Sequence, residues 1–237
     1  VLGGPVMNDA LEGKDTREDH TQGQITQLMN ELKTGDETTR RYAIEDLGEL
    51  KCEAAVPLLI WALSDESIAV REAACDALIC IGGSSTCSQV AELLKSEDVT
   101  LRNYAQEILI GIGQSAIPYV LPLCSNESPD VRKFALDILG QITSADDKDT
   151  IHAIIQCLDD PNVNVAGAAI EALGRIGSVE VVPVLIKCLD REGWIQCCVI
   201  AALAEIDGKE GKDALLNINP DTLAPEARLY YETVVCG

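Results

Sequence analysis

A thirteen-residue pattern that recurs along the chain constrains the fold most strongly. In its clearest copy, residues 70–82 (VREAACDALICIG), apolar or small residues follow the spacing of one helix face. Further copies begin at Thr39, Leu101, Val131, Val165 and Ile195. Successive starts lie 30 to 34 residues apart. A repeat of this length predicts a stack of similar helical units, because one unit cannot bury its apolar face alone.

Each copy is followed by a second apolar segment, such as AAVPLLIWAL at residues 54–63 and CSQVAELL at residues 87–94. Each repeat therefore predicts a first helix, a short turn and a second helix. The thirteenth place of the pattern is glycine in three copies, which suits a helix C-cap with positive φ. These glycines are Gly82, Gly113 and Gly177.

The repeats set the predicted domain boundaries. Residues 1–23 are polar and lack an apolar period, so we expect a disordered tail or linker there. Residues 24–237 then form a single repeat domain that opens with a half-repeat closed by Gly35, and residues 220–237 cap its end. The six helix pairs are expected near residues 36–65, 66–96, 97–126, 127–160, 161–191 and 192–219.

Charge narrows the possible partners of the chain. The formal net charge is −21 and the sequence pI is near 4.3. Such a field repels phosphate backbones and anionic membrane surfaces, so we expect neither nucleic acid nor a membrane as partner. No apolar run approaches the length of a membrane span and no signal-peptide pattern opens the chain, although it begins at Val1 rather than at methionine.

Ten cysteines raise the question of disulfides or a metal. Most of them occupy places where the repeat takes a small apolar residue, and there is no C-x-x-C pair. Cys157 and Cys188 occupy the same place one repeat apart, and packed helices lie about 8–10 Å apart, too far for a bridge between equivalent positions. We expect free thiols in a reducing cytoplasm and no metal site, with a metal or redox role as the alternative.

Arginine stands at the second place of the pattern in four successive copies, and acidic residues fill the turns before it. A guanidinium there can bridge its own turn to the turn of the next repeat, so we expect a structural ladder of ion pairs along the stack. The series ends at Ala166 and Gln196 in the last two copies. Its members are Arg40, Arg71, Arg102 and Arg132.

The pattern V-R-x-x-A-x-x-A-L-G-x-I-G, followed by x-V-x-x-L-I-x-x-L-x-D, resembles the HEAT-like repeats of the phycobilisome-lyase type. The resemblance covers residues 25–219. It implies an all-α fold, a right-handed α-solenoid of about six helix pairs with capping helices. It also implies a scaffold or partner-binding role, with ligands along a concave face that the second helices line.

On that face, the non-core places of the second helices are the candidate binding residues. Trp61 and Tyr119 are two of eight aromatic residues in the chain, and aromatic anchors are enriched in binding hot spots. Trp194 lies just before the last copy, where we expect it to fill a gap near the C-terminal cap. The predicted binding residues are Trp61, Leu58, Gln89, Glu92, Tyr119, His152, Gln156 and Lys187.

The catalytic residues of HEAT-like enzymes have no counterparts that we can identify in this sequence. HEAT-like hydroxylases bind iron through His-Glu dyads, whereas the two histidines here, His20 and His152, are followed by Thr21 and Ala153. Alkyl-base glycosylases of this fold use a basic groove, which the charge contradicts. Bilin lyases share the repeat, and a bilin would need polar contacts to its propionates from the few candidates, His152 and Lys187.

We therefore predict a non-enzymatic cytoplasmic scaffold or adaptor without a cofactor. Its partner would be a protein or peptide bound in the concave groove. The alternative is an accessory factor of the bilin-lyase type that assists cofactor or chromophore attachment. The identity of the partner and the oligomeric state are left open.

Overall fold

The computed structural model describes residues 9–191 and 193–236, with side chains for residues 22–191 and 193–235. Over these ranges the chain forms α-helices joined by short 3-10 turns, and no strand occurs there. The all-α prediction is confirmed. The chain divides into two compact units, residues 1–89 and 90–237, and each is described by itself below. The single continuous domain predicted from the repeats stays a prediction.

The first unit contains the long N-terminal helix and the first two repeats. Its helices are α1 (Asp9–Thr34), α2 (Glu37–Glu49), α3 (Val56–Ala62) and α4 (Ile68–Ile81). Helix α5 (Gly83–Leu93) follows and contains the boundary between the units. In the first unit α2 packs against both α1 and α4, and α4 also packs against α3. Each first helix therefore buries its stripe against a neighbour in sequence.

Helix α1 begins earlier than the sequence pattern predicted. The expected disordered tail covered residues 1–23, yet α1 is 26 residues long and already includes residues 9–23; residues 1–8 lie outside the described part. The segment is rich in strong helix formers such as Ala10, Leu11 and Glu12, and contains no proline. Apolar periodicity finds only amphipathic helices, so a polar helical extension escapes it.

The second unit continues the repeat to the end of the described chain. Successive first helices α8, α10 and α12 pack side by side, and α14 packs on α12. This neighbour-to-neighbour order is the arrangement of a solenoid. The helices are α6 (Val99–Ile112), α7 (Ile117–Val120), α8 (Pro129–Ile142), α9 (Lys148–Gln156), α10 (Val163–Ile176), α11 (Val182–Lys187), α12 (Gly193–Glu205), α13 (Lys209–Leu216) and α14 (Pro225–Cys236).

Glycine at the tenth place of the pattern lets neighbouring first helices touch backbone to backbone. A Cβ on Gly140 would lie 2.8 Å from Ala172 Cα, and one on Gly174 would lie 2.7 Å from Ala202 Cα. In the first unit, Gly48 lies in the same way against the eighth place of the next copy. A methyl group at any of these three glycines would push the helices apart; the copies that begin at Val70 and Leu101 have isoleucine at this place.

The ends of the first helices follow the predicted caps. Gly82, Gly113 and Gly177 have φ values of 57°, 79° and 72°. This left-handed region favours glycine, which carries no Cβ. The C-terminal cap also forms as expected: Ala227 and Tyr231 of α14 are buried, which covers the outer face of α12.

One stretch, Val99–Ser125, is 27 residues long and apolar enough to cross a membrane by length and composition alone. The helical path breaks within it, because Gly113 takes a positive φ between α6 and α7. Ile108 and Val120 from its two halves are fully buried. In this structure the stretch therefore forms two separate helices of one repeat. The absence of membrane partners stays a prediction.

Candidate functional site

Helix α3, the second helix of the first repeat, exposes a tryptophan that does not pack in the core. The side chain of Trp61 on α3 is 57% exposed, whereas Leu59 and Ala62 of the same helix are buried. Leu58 is partly exposed on that helix. An exposed indole of this kind is a large apolar area offered to a partner, since folding gains little from it.

The other predicted binding residues are also accessible within their own units. Gln89 of the first unit and Tyr119 of the second are partly exposed. The structure places these candidates on the surface, and their role in binding stays a prediction. The exposed ones in the second unit are Glu92, His152, Gln156 and Lys187.

A groove of about 530 Å³ opens between the second-helix segments of two repeats in the second unit. The 3-10 turn Leu121–Ser125 forms one wall and packs against α9, which forms the other. The groove holds one predicted binding residue, Gln156, and two carboxylates at its edge. Its lining is Leu121, Pro122, Cys124, Ser125, Ala153, Gln156, Cys157, Asp159 and Asp160.

Next to this groove, Arg132 forms a two-pronged pair with Asp160. Arg132 Nε donates to Asp160 Oδ2 at 2.7 Å and Nη2 donates to Oδ1 at 2.8 Å. Both side chains are about nine-tenths buried, with 12% and 9% of their surfaces exposed. The hydrogen bonds from Arg132 lower the pKa of the Asp160 carboxyl below its usual value, against the opposing effect of burial.

The first unit contains an equivalent pair. Arg40 Nη2 donates to Asp65 Oδ1 at 2.7 Å, and Nε donates to Oδ2 at 2.9 Å. Burial raises the pKa of the Asp65 carboxyl, but the hydrogen bonds and charge of Arg40 outweigh this effect, and the pKa is lowered overall. These two pairs have the geometry of the expected ladder.

At Arg71 and Arg102 the arrangement differs from the expected ladder. Arg71 Nη1 donates to the carbonyl of Asp65 at 2.6 Å, and Arg102 Nη1 donates to the carbonyl of Ser96 at 2.6 Å. Both guanidinium groups thus bind their own turn. Their Nε atoms are buried without a hydrogen-bond partner, and neither forms an ion pair within the described residues. The ladder is therefore interrupted.

Trp194 lies on a surface formed by first helices of the repeats. The expectation that it fills a gap near the C-terminal cap was wrong. Its side chain is 50% exposed, and its indole Nε1 lies 3.4 Å from the position of a Cβ added to Gly167 of α10. It borders a cavity of about 370 Å³ whose other lining residues are Pro129, Asp130, Lys133, Asn162, Asn164, Val165, Ala168 and Glu171. The sequence missed this cavity because its lining comes from three different repeats.

Among the described residues, no group of three or more histidine, cysteine, aspartate or glutamate side chains could hold a metal ion. None of the nine cysteines with described side chains forms a disulfide, and Cys236 lies outside that set.

Comparison with known proteins places the repeats in a family. A family model described as HEAT repeats matches residues 25–110 and 151–229, together more than half of the chain. A second model, HEAT repeat, matches residues 116–145. The resemblance expected from the repeat pattern is confirmed.

Two curated relatives come from different biological settings. The chain is 30% identical over 157 residues to the bilin biosynthesis protein PecE of Mastigocladus laminosus, covering 65% of this chain and 58% of that protein. It is 28% identical over 174 residues to a HEAT repeat-containing taxis protein of Halobacterium salinarum, covering 72% of this chain and 39% of that protein. The chain thus spans about three fifths or less of the length of these relatives.

Among solved structures, the complex of CpcE and CpcF of phycocyanin lyase from Nostoc matches with 20% identity and a TM-score of 0.40. That match covers 99% of this chain and 89% of the other. The family assignment rests on the matched repeats themselves. The chain belongs to the HEAT-repeat family.

Proposed function

We propose that this chain acts by binding a protein or peptide partner through the exposed side chains of its second helices, without catalysis of its own. The observation that carries the proposal is Trp61, which is 57% exposed beside buried Leu59 and Ala62. Partner binding would bury this indole, and central tryptophan anchors contribute on the order of 2 kcal/mol or more to a complex. A cytoplasmic location belongs to the same proposal, and cysteines that form no disulfide are typical of that compartment.

A more specific role is assistance in bilin attachment, and the sequence comparison favours it over a general scaffold. The similarity to PecE of Mastigocladus laminosus, and to a second PecE at 29% identity over 157 residues, supports this candidate. The similarity to a taxis protein points to the broader binding role. Both candidates share a dependence on protein partners.

The charges of the groove indicate how a bilin-related role would work. Its edge is lined by Asp159 and Asp160, whereas the propionates of a bilin need cationic or hydrogen-bond-donating contacts. Asp160 and Asp159 are paired with Arg132 and Arg191, so the described lining of the groove offers no unpaired cation for a bilin propionate. The accessory role that fits the surface is binding of another protein in the attachment machinery.

The test compares the two tryptophans. The wild-type chain, Trp61→Ala and Trp194→Ala are each immobilised and exposed to a lysate of the source organism, and captured proteins are quantified by mass spectrometry. We expect a specific protein to bind wild type and Trp194→Ala equally, and to bind Trp61→Ala at least about tenfold more weakly, which equals about 1.4 kcal/mol. The melting temperature of Trp61→Ala should stay nearly unchanged, since the side chain is mostly exposed.

Capture that is independent of Trp61, or a large fall in melting temperature on its removal, would overturn the assignment of this surface. The bilin-related role is tested separately by identifying the captured protein and by mixing it with the chain and a bilin. The accessory role is supported if the bilin, followed by its visible absorbance, becomes covalently attached to the captured protein only when the chain is present. Equal attachment without the chain contradicts it.

A further inference from the structure

We propose that Cys124 and Cys157 form a peroxide-sensitive thiol pair, in which a hydroperoxide oxidises Cys157 and Cys124 then closes a disulfide. The bond would join the second-helix segments of two consecutive repeats across the groove. This modification site does not depend on the identity of the binding partner.

The fold brings the two thiols together from separate repeats. Cys124 lies in the 3-10 turn Leu121–Ser125, and Cys157 begins the 3-10 turn Cys157–Asp159 at the end of α9. Both side chains are partly exposed and both line the groove of about 530 Å³. The two thiols interact with each other, and the Cys157 thiol also donates to the carbonyl of Ala153 at 3.7 Å. A small oxidant can reach the pair from solvent.

The surroundings divide the roles between the two sulfurs. The hydrogen bond from Cys124 lowers the pKa of the Cys157 thiol, while burial and the carboxylate of Asp160 oppose this effect and the guanidinium of Arg132 reinforces it. The same hydrogen bond and burial raise the pKa of Cys124. Since the thiolate is the reactive form, Cys157 is the nucleophile and Cys124 the resolving thiol.

The reaction balances in two steps. The Cys157 thiolate attacks one oxygen of hydrogen peroxide, the O–O bond breaks, and the released hydroxide takes a proton to become water, leaving a sulfenic acid on Cys157. The Cys124 sulfur then attacks the Cys157 sulfur, an S–S bond forms, and the sulfenic hydroxyl leaves as water with the proton of Cys124. Two electrons pass from the pair to the peroxide, which is reduced to water.

Other described cysteines lack this combination. Burial raises the pKa of Cys87 and of Cys188, and it raises the pKa of Cys198 to about 12. Cys80 is exposed but lines a separate surface recess without a second cysteine. Cys80 therefore supplies a matched control for simple accessibility.

The experiment treats the full chain with a modest excess of hydrogen peroxide, denatures it, alkylates the remaining thiols and maps the products by mass spectrometry. We expect wild type and Cys80→Ser each to lose two alkylatable thiols and to yield a reducible cross-link between the peptides containing Cys124 and Cys157. In Cys124→Ser the cross-link should vanish, and dimedone should trap a sulfenic acid on Cys157. In Cys157→Ser the thiol of Cys124 should stay reduced.

A second readout needs no variant. A trivalent arsenical binds two adjacent thiols at once, so phenylarsine oxide should protect Cys124 and Cys157 from alkylation in the reduced wild-type protein, and leave Cys80 unprotected. Oxidation of Cys80 without the cross-link would overturn the proposal, and so would arsenical protection that is no greater at the pair than at Cys80.

Discussion

Arg132 and Arg102 occupy the same place of the repeat in consecutive copies of the second unit, yet their guanidinium groups have different hydrogen-bond partners. Arg132 is held by both oxygens of Asp160, at 2.7 and 2.8 Å. The turn that follows Arg102 has Asn126 at the equivalent position, and Arg102 Nε is buried without a hydrogen-bond partner. The guanidinium of Arg102 lies instead 5.8 Å from the ring centroid of Phe134.

The comparison shows that the arginine at this place can make two separate bonds, one to its own turn and one to the turn of the next repeat. Both arginines donate from Nη1 to the first carbonyl of their own turn, Arg102 to Ser96 and Arg132 to Asn126. This bond anchors the start of the helix, and Arg40 and Arg71 make it as well, to the carbonyls of Gly35 and Asp65. The bond to the next repeat uses a carboxylate, because Asp160 offers two charged oxygens: Oδ1 accepts from both Asn162 N–H and Arg132, and Oδ2 accepts from Arg132. The Asn126 side chain has one neutral oxygen, which binds the backbone N–H of Ser128, and its NH2 group cannot accept from a guanidinium.

The largest effect is expected from opening the complete pair. Arg132→Ala should reduce the free energy of unfolding by about 2 kcal/mol, because it removes charge-assisted hydrogen bonds and leaves the largely buried Asp160 carboxylate without its partner. Urea denaturation measures the change. The matched control is Lys133→Ala on the same helix, whose half-exposed ammonium makes a single 3.4 Å contact with Asp137. Equal losses from the two variants would show that the Asp160 pair has no special weight.

The next effect concerns pH. Asp160 has a pKa below its unfolded value, so its contribution to stability is present above that unfolded value of about 4 and is lost as the pH falls through the folded pKa. The stability difference between wild type and Asp160→Asn should therefore be constant near neutral pH and shrink below about pH 4. Denaturation midpoints at a series of pH values test this. A difference that grows in acid contradicts the sign.

A smaller gain is expected from completing the open site. Asn126→Asp supplies Arg102 with the acceptor that Asp160 gives Arg132, and should stabilise the protein by about 1 kcal/mol. Nearby Glu127 and Asp130 keep the gain below the loss at Arg132, because they repel the added charge. Ser125→Asp adds the same charge at a neighbouring exposed position and serves as the control. A gain in both variants would assign the effect to charge alone.

A loss smaller than that at Arg132 is expected at Arg71 of the first unit, which forms no ion pair within the described residues. Arg71→Ala should cost at most about 1 kcal/mol, because Arg71 has only bonds to the carbonyls of Asp65 and Glu66. The control is Arg228, which is exposed and pairs with Asp221 and Glu232. Arg228→Ala should lower the free energy of unfolding by only about a few tenths of a kcal/mol. Thermal denaturation of the two variants compares the losses of stability. A loss at Arg71 equal to that at Arg132 would mean that the carboxylate is unimportant.

The repeat pattern by itself determined the architecture within each unit. Its spacing predicted helix pairs, and the glycines at its thirteenth place predicted the caps with positive φ that the structure contains. These features are local or periodic, so neighbouring residues specify them. The polar helix over residues 9–23 was missed because periodicity detects only the face that packs.

Only the tertiary structure decided which side chains from different repeats meet. Cys124 and Cys157 are 33 positions apart and occupy places that differ by one residue within their repeats, so a comparison of equivalent places overlooked their contact. The same holds for the cavity beside Trp194 and for the unpartnered Nε of Arg102. A repeated sequence specifies each helix pair, but contacts across repeats depend on the offset between neighbouring helices, and packing sets that offset.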